Sequence, residues 1–290
     1  MFLGELHQQF KDTMSTSGLV PELLVGCDFS CSPSRRKPIV MALGTSLNGR
    51  VLLSGLERLD SLDGFDLWLR QDRDWLGVFD FPFGLPRELV MHLGWPTQWD
   101  ESMNHYASLT RLEIRNTFAA FCNARPTGKK FAHRGTDAPS GASSSMKWVN
   151  PPVAFMLHAG IPRLVAAGAH IPGLHQGDSR RVALEGYPGL LAREILRTRS
   201  YKSDDRGKHT PERLIARKDL ITALEHGQTR LGLRLKVSHA QRDALIDDGS
   251  GDSLDAVLCL MQSAWAAQQG APCFGLPADM DALEGWIVTA

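Results

Sequence analysis

Four acidic residues stand in apolar surroundings that seldom hold an unpaired carboxylate. Asp28 ends the run LLVGCD, Asp80 ends LGVFD, Glu185 lies inside RVALEGYP, and Asp255 opens an apolar helical pattern three residues after Asp252. Carboxylates gathered in one partly buried place raise one another's pKa values and lose hydration, and a divalent cation commonly offsets that cost. The pattern therefore predicts an acidic centre that binds Mg²⁺ or Mn²⁺.

Such a centre could hydrolyse a phosphodiester bond, because two divalent ions roughly 4 Å apart can activate a water and stabilise the leaving oxygen. Each acid also has a simpler explanation. Asp80 could organise the turn before the proline that follows, Asp28 could cap a turn, Asp252 could cap its helix, and Glu185 could pair with an arginine. The predicted metal ligands are Asp28, Asp80, Glu185, Asp252 and Asp255, and all of these except Asp252 are also predicted to be catalytic.

The elements that must position these acids read as alternating strands and helices. An Asn-Gly pair in TSLNGR predicts a hairpin between the second and third strands, and Ser61 is a candidate cap for a helix leading to the fourth. Carboxylates at strand ends face the crevice where α/β proteins bind ligands. Apolar runs predict strands at 22–29, 38–44, 50–56, 76–81 and 181–187.

Helical patterns occupy most of the remaining chain. A Gly-, Ser- and Pro-rich loop separates the first two long ones, and such long loops are usually functional or disordered. We expect one domain over residues 1–290 with a helical and loop insertion at 87–178. Helices are predicted at 100–122, 151–168, 188–198 and 211–227, from near Ser250 onward, and as a short amphipathic segment within residues 1–24.

Composition narrows the class of protein. Hydrophobic residues make up 43% and charged residues 22%, as in globular proteins, and no apolar stretch reaches the about 18 residues of a membrane span. The start lacks the pattern of a signal peptide, which predicts a cytoplasmic protein. Five cysteines without such a signal argue against a disulfide framework, and Cys27 and Cys31 lack a second pair for structural zinc.

Charge is segregated along the chain although the formal net charge is zero. Residues 179–218 carry an excess of six positive charges and residues 111–150 an excess of five, whereas residues 243–290 hold eight acids and no Lys or Arg. This segregation suits an anionic partner such as nucleic acid, but charges that interleave on a solvated surface explain it equally well. The predicted phosphate contacts are Arg35, Arg36, Lys202, Arg206, Arg213 and Arg217.

The loop before the second long helix offers weaker candidates for substrate contact. Lys129, Lys130 and Arg134 could close over a bound strand, with Phe131 or Trp148 as a stacking surface. The segment TGKK lacks the spacing of a phosphate-binding P-loop, and there is no G-x-S-x-G elbow. The histidines show no metal-ligand spacing.

The order of these short motifs carries a resemblance. VGCDFS before a hairpin, then GVFDFPFGLP, VALEGYPGLL, DSLDAVLCLMQSAWA and a terminal EGWIV resemble the domain-of-unknown-function 429 family, regarded as predicted nucleases of the ribonuclease H-like fold. The resemblance implies that Asp28 is the acid of the first strand and Asp80 that of the fourth. It likewise implies that Glu185 is a strand glutamate and Asp255 the acid of the last helix, together binding two divalent ions.

We therefore expect an α/β ribonuclease H-like fold, with a mixed five-stranded sheet whose first three strands are antiparallel, flanked by helices. The expected function is that of a metal-dependent nuclease. One alternative is an ATP-dependent phosphotransferase of the same fold, although such proteins typically duplicate the domain and carry glycine-rich phosphate loops, and neither is found here. The other alternative is a non-catalytic module that binds nucleic acid or protein.

Overall fold

A mixed β-sheet of seven strands forms the centre of the computed structural model, which describes residues 21–290. The strand order is β5-β6-β4-β1-β2-β3-β7. Strands β1, β2 and β3 are antiparallel neighbours, and β4 and β6 continue the sheet parallel to β1. The strands are β1 (Leu24–Asp28), β2 (Ile39–Leu47), β3 (Arg50–Leu59), β4 (Trp75–Phe79), β5 (Ala169–His170), β6 (Asp178–Glu185) and β7 (Arg234–Lys236).

The sheet corrects the predicted count of five strands. The two additional strands, β5 and β7, have two and three residues, too few for an alternating apolar pattern to be recognised. Each of them lies at an edge of the sheet, beside β6 and β3 respectively. The predicted hairpin is confirmed, since Asn48 and Gly49 both have the positive φ angles, 51° and 73°, that its tight turn requires.

Ten α-helices are described in residues 21–290. Ser61 caps α1 as predicted, because its side chain accepts from the Gly64 amide. The helix predicted at 100–122 is in fact two, since Thr110 forms a capping box with Glu113 and starts a new helix. The helices are α1 (Leu62–Leu69), α2 (Arg87–His92), α3 (Trp99–Ser108), α4 (Arg111–Asn123), α5 (Asp137–Ser140), α6 (Val153–Ala166), α7 (Pro188–Leu196), α8 (Pro211–Glu225), α9 (His239–Asp247) and α10 (Asp252–Gln269).

Helices cover both faces of the sheet. Side chains of α1, α3, α4 and α6 share one buried apolar cluster with the sheet, and those of α7 to α10 share another. The segment 87–178 thus supplies much of one hydrophobic layer, together with the short edge strand β5. The amphipathic helix predicted at the start of the chain falls almost entirely on residues 1–20, outside the described residues. No helix of the described residues is long and apolar enough to cross a membrane.

Helix α10 lies unusually close to β1. A Cβ atom on Gly26 would stand 2.1 Å from both the Ala256 carbonyl oxygen and the Leu260 amide nitrogen, so only glycine allows this approach. The first thirteen residues of α10 are all buried. The contact fixes the first turn of α10 beside the carboxyl end of β1.

Candidate metal centre

Three of the predicted acids meet at the carboxyl ends of β1 and β4, in the middle of the sheet. One carboxylate oxygen from each of Asp28, Asp80 and Asp255 lies within 4.8 Å of those of the other two. Asp28 is the last residue of β1, Asp80 directly follows the parallel strand β4, and the Asp80 amide donates to the Cys27 carbonyl at 2.9 Å. Because these two strands end side by side, the prediction from their strand-end positions holds for this pair.

Asp255 joins them from the first turn of α10. That helix begins after Gly251, whose φ is +78° and whose missing Cβ leaves room for the Lys202 side chain, since a Cβ there would stand 2.6 Å from Lys202 Cβ. A helix amino terminus also favours nearby negative charge. Both the acid and the lysine beside it therefore depend on the tight backbone that precedes α10.

Among residues 21–290, Lys202 is the cation in contact with this acidic centre. Its ammonium donates to Asp255 Oδ2, and the Tyr201 hydroxyl donates to Asp255 Oδ1. The Lys202 charge also lowers the pKa values of Asp28 and Asp80, although other influences outweigh it. Lys202 was predicted as a phosphate contact, and in this structure its partner is a carboxylate.

Asp28 and Asp80 resist full ionisation without a further cation. Burial, followed by the charges of Asp255 and Asp252, raises the pKa of Asp28 well above its ordinary value. Burial and the charge of Asp255 raise the pKa of Asp80 to about 7. A divalent cation would favour the ionised form of both groups.

The donor set fits a hard divalent ion. Asp28 and Asp255 are buried and Asp80 is half-buried, so three carboxylates converge while one of them still reaches open space. Oxygen ligands of this kind suit Mg²⁺, Mn²⁺ or Ca²⁺. The three carboxylates and the Lys202 ammonium together carry a formal charge of minus two when all are ionised, which one divalent cation balances.

Asp252, the additional predicted ligand, is buried but already has a cationic partner. The Lys37 ammonium lies 2.6 Å from Asp252 Oδ1 and 2.8 Å from Asp204 Oδ1. Burial lowers the pKa of Lys37, but the charge of Asp252 and the hydrogen bond to Asp204 raise it more. This bridge joins the loop after β1 to the segment after α7 and to α10.

Glu185 lies at the end of β6, next to β4, but its carboxylate faces an arginine. Arg134 donates to its two oxygens at 2.7 Å each, and the Phe83 amide donates at 2.9 Å. Arg134 is buried and also pairs with Asp137. Burial raises the pKa of Glu185 more than Arg134 lowers it. The three-carboxylate group does not include Glu185, so its role as a metal ligand stays a prediction.

The same pair corrects the expectation for Arg134. A residue that is 3% exposed and holds two acids cannot close over a substrate as part of a mobile loop. Sequence reasoning allowed for an arginine partner of Glu185 but could not identify it, because the two residues are 51 positions apart.

The predicted basic contacts differ in their surroundings. Arg35, Arg36 and Arg206 are exposed, and Arg35 lies 3.6 Å from Asp60. Arg213 donates to the Lys208 carbonyl at 3.0 Å. The prediction for Arg217 is corrected, because this residue is buried.

The guanidinium of Arg217 donates to the carbonyl oxygens of Tyr201 and Ile246, at 2.7 and 2.6 Å. These bonds hold the backbone before Lys202. Arg217 therefore supports the site from inside the fold and is not available to a substrate.

A cleft of about 440 Å³ opens beside the acidic centre, with Asp80 and Lys202 among its lining residues. Three further arginines line it that were not singled out from the sequence: Arg193, Arg197 and Arg199. All three belong to the positively charged stretch 179–218, so the charge count contained the signal. Only the packing of α7 and of the residues after it shows which basic residues of this stretch face the cleft.

In comparisons with known proteins, no family model, no curated protein and no solved structure matches this chain.

The raised pKa of Asp80 predicts an inverted pH dependence of stability in the absence of metal. Between the ordinary value of 3.8 and about 7, the folded state holds a proton that the unfolded state has released. The contribution of Asp80 to the free energy of unfolding should therefore fall as pH rises through this window and level off above it. Urea unfolding in EDTA at pH 5, 6, 7 and 8 measures the slope.

The matched variant is Asp80→Asn, which keeps the side-chain shape but cannot ionise. It should show a smaller fall in the free energy of unfolding between pH 5 and pH 7 than the unchanged protein, whereas Asp243→Asn at an exposed position of α9 should not alter that fall. Equal slopes for Asp80→Asn and the unchanged protein would contradict the assignment.

Proposed function

We propose that this protein is a metal-dependent nuclease with a ribonuclease H-like fold. The observation that carries the proposal is the convergence of Asp28, Asp80 and Asp255 within 4.8 Å, at the ends of two parallel strands and the start of a helix. A basic cleft adjoins these acids. Acidic metal centres next to cationic surface suit the cleavage of an anionic polymer.

The strand order supports the finer fold. Within the seven-stranded sheet, the five strands foreseen from the sequence lie in the order β3-β2-β1-β4-β6, with β2 antiparallel to the others. This agrees with the antiparallel first three strands expected of a ribonuclease H-like domain. The resemblance to the domain-of-unknown-function 429 family is part of the same proposal.

Asp28, Asp80 and Asp255 would hold Mg²⁺ or Mn²⁺. The ion would supply Lewis acidity and lower the pKa of an attacking water. Of these three acids, Asp80 is half-buried and lines the cleft, so it is the one that an entering substrate would reach. Lys202 lines the same cleft and could neutralise a phosphate once a metal ion takes over its contact with Asp255.

One observation favours the rival, a non-catalytic binding module. Lys202 already supplies a positive charge to Asp255, so the acids are partly neutralised without a metal ion. The two proposals differ in what Mn²⁺ does to the protein. A nuclease centre must bind the ion, whereas a lysine-neutralised module gains nothing from it.

The test combines metal binding with cleavage. Mn²⁺ should bind in calorimetry and raise the melting temperature, and cleavage of single-stranded, duplex, branched or hybrid oligonucleotides should require Mg²⁺ or Mn²⁺. Asp80→Asn removes one ligand charge with little change in shape, and it should lose both effects, while Asp243→Asn should retain them.

Two results would contradict the nuclease. Mn²⁺ could fail to bind the unchanged protein, or metal-dependent cleavage could persist at the same rate in Asp80→Asn. The first result would favour the non-catalytic module. The second would indicate a contaminant or a different centre.

A further inference from the structure

The cleft beside the acidic centre has the size of a small-ligand site. Its volume of about 440 Å³ lies within the roughly 300–1,000 Å³ that is typical of pockets for small molecules. Apolar side chains, among them Pro82, Met156 and Leu196, form part of its wall. A single nucleotide fits such a volume, whereas a double helix cannot enter it.

One wall of the cleft is formed by a planar guanidinium and an aromatic ring, those of Arg193 and Tyr187. The Arg193 guanidinium carbon lies 5.1 Å from the centre of the Tyr187 ring, and the same guanidinium donates to the Tyr187 hydroxyl at 3.0 Å. A further bond to the Ser140 carbonyl holds it in place. Unpaired bases stack on aromatic rings and on arginine planes. This wall is therefore suited to a base that is not paired in a duplex.

Arg197 is the exposed cation at the end of α7, and its backbone is unusual. Its φ is +54°, a region that a non-glycine residue enters only at a cost. Among residues 21–290, its side chain has no ion pair or hydrogen bond, whereas the nearby Arg199 lies 2.6 Å from Asp219. Arg197 lines the cleft, so the strained position places a free positive charge there.

We propose that the cleft binds one unpaired nucleotide of a single-stranded nucleic acid, with its base against the Arg193–Tyr187 wall and its phosphate at Arg197. This inference rests on the proposed nuclease and names its substrate class. The cleft is continuous with Asp80 and Lys202, so the nucleotide lies next to the acids that would cleave its phosphodiester bond. Duplex ends must unpair before they enter.

Binding is tested by calorimetry with a deoxynucleoside 5′-monophosphate, dTMP, in buffer with Mn²⁺. Arg197→Gly removes the cation and also relieves the positive φ, so this variant should melt no lower than the unchanged protein. It should bind dTMP about tenfold more weakly, the effect of losing one charge-assisted phosphate contact. Arg115→Ala, at an exposed position of α4 away from the cleft, should bind dTMP unchanged.

Two further measurements test the base and the strand. Inorganic phosphate should bind at least tenfold more weakly than dTMP, since it cannot use the Arg193–Tyr187 wall. Single-stranded oligonucleotides should be cleaved faster than blunt duplexes of the same sequence, and Arg197→Gly should slow the cleavage of single strands.

The outcomes separate this inference from the nuclease proposal. If no oligonucleotide is cleaved but dTMP binds and Arg197→Gly weakens dTMP binding, the nucleotide site is supported and the nuclease proposal is contradicted. If cleavage occurs but Arg197→Gly behaves like Arg115→Ala, or phosphate binds as tightly as dTMP, the nucleotide site is refuted while the nuclease stands. Equal cleavage of duplex and single strand would likewise refute the preference for an unpaired nucleotide.

Discussion

Replacing Lys202 by methionine is expected to tighten Mn²⁺ binding by about tenfold, because separating an ion pair whose lysine is 43% exposed costs about 1.4 kcal/mol and that cost disappears. The Lys202 ammonium contacts Asp255, so a metal ion that uses this carboxylate must displace it. Methionine keeps much of the length and the apolar stem of lysine without its charge. Calorimetric titration with Mn²⁺ at pH 7.5 measures the difference.

The stability of the same variant should depend on metal. Without Mn²⁺, Lys202→Met leaves three carboxylates together with less compensation, so its melting temperature should be lower than that of the unchanged protein. With saturating Mn²⁺ the deficit should shrink or vanish. Lys218→Met, at an exposed position of α8, should change neither the affinity nor the melting temperature. If Lys202→Met bound Mn²⁺ no more tightly than the unchanged protein, competition between Lys202 and the metal would be disproved.

The positions of the central acids were accessible from the sequence for physical reasons. Asp28 and Asp80 each end an apolar run, and runs of this kind form strands whose ends meet at one edge of a sheet. Asp255 sits in an otherwise apolar helical pattern, where a lone acid needs a partner. Each of these signals lies within about ten residues of sequence. A run of that length determines whether the segment forms a strand or a helix, and therefore where on that element the acid lies.

The partners of these acids were not accessible, because they depend on packing. The lysine that contacts Asp255 lies 53 residues earlier, and the arginine that holds Glu185 lies 51 residues before it. Each was visible as a charge, but nothing in the sequence assigns one arginine to a buried carboxylate and another to the surface. Arg217 and Arg197 illustrate this. Arg217 is buried and donates to backbone carbonyl oxygens, whereas Arg197 is exposed and lines the cleft.

The short edge strands show the same limit in the fold. Strand β7 has three residues, of which only Leu235 is buried, so the sequence offers no alternation to detect. It pairs with β3 because the chain between α8 and α9 passes that edge. The positions of α8 and α9 therefore determine this pairing, and the sequence of the strand does not.

Substituting Gly26 by alanine is expected to lower the free energy of unfolding by about 3 kcal/mol, the upper part of the usual range for overpacking a core. The new Cβ would stand 2.1 Å from backbone atoms of Ala256 and Leu260, and backbone cannot rotate away as a side chain can. Helix α10 would have to move off β1. Gly55→Ala is the matched control, since a Cβ on that strand glycine meets nothing within 4 Å. Urea unfolding of both variants measures the effect.

The same displacement should reach the acidic centre. Asp255 is carried by the turn of α10 that precedes the clash, while Asp28 lies two residues after Gly26 on β1, so moving the helix separates the two carboxylates. Gly26→Ala should therefore bind Mn²⁺ more weakly even at temperatures where it remains folded, and Gly55→Ala should bind it normally. A folded Gly26→Ala protein with unchanged Mn²⁺ affinity would show that the helix–strand contact does not set the spacing of the acids. Loss of binding would tie the metal centre to the one position on β1 where a side chain cannot fit.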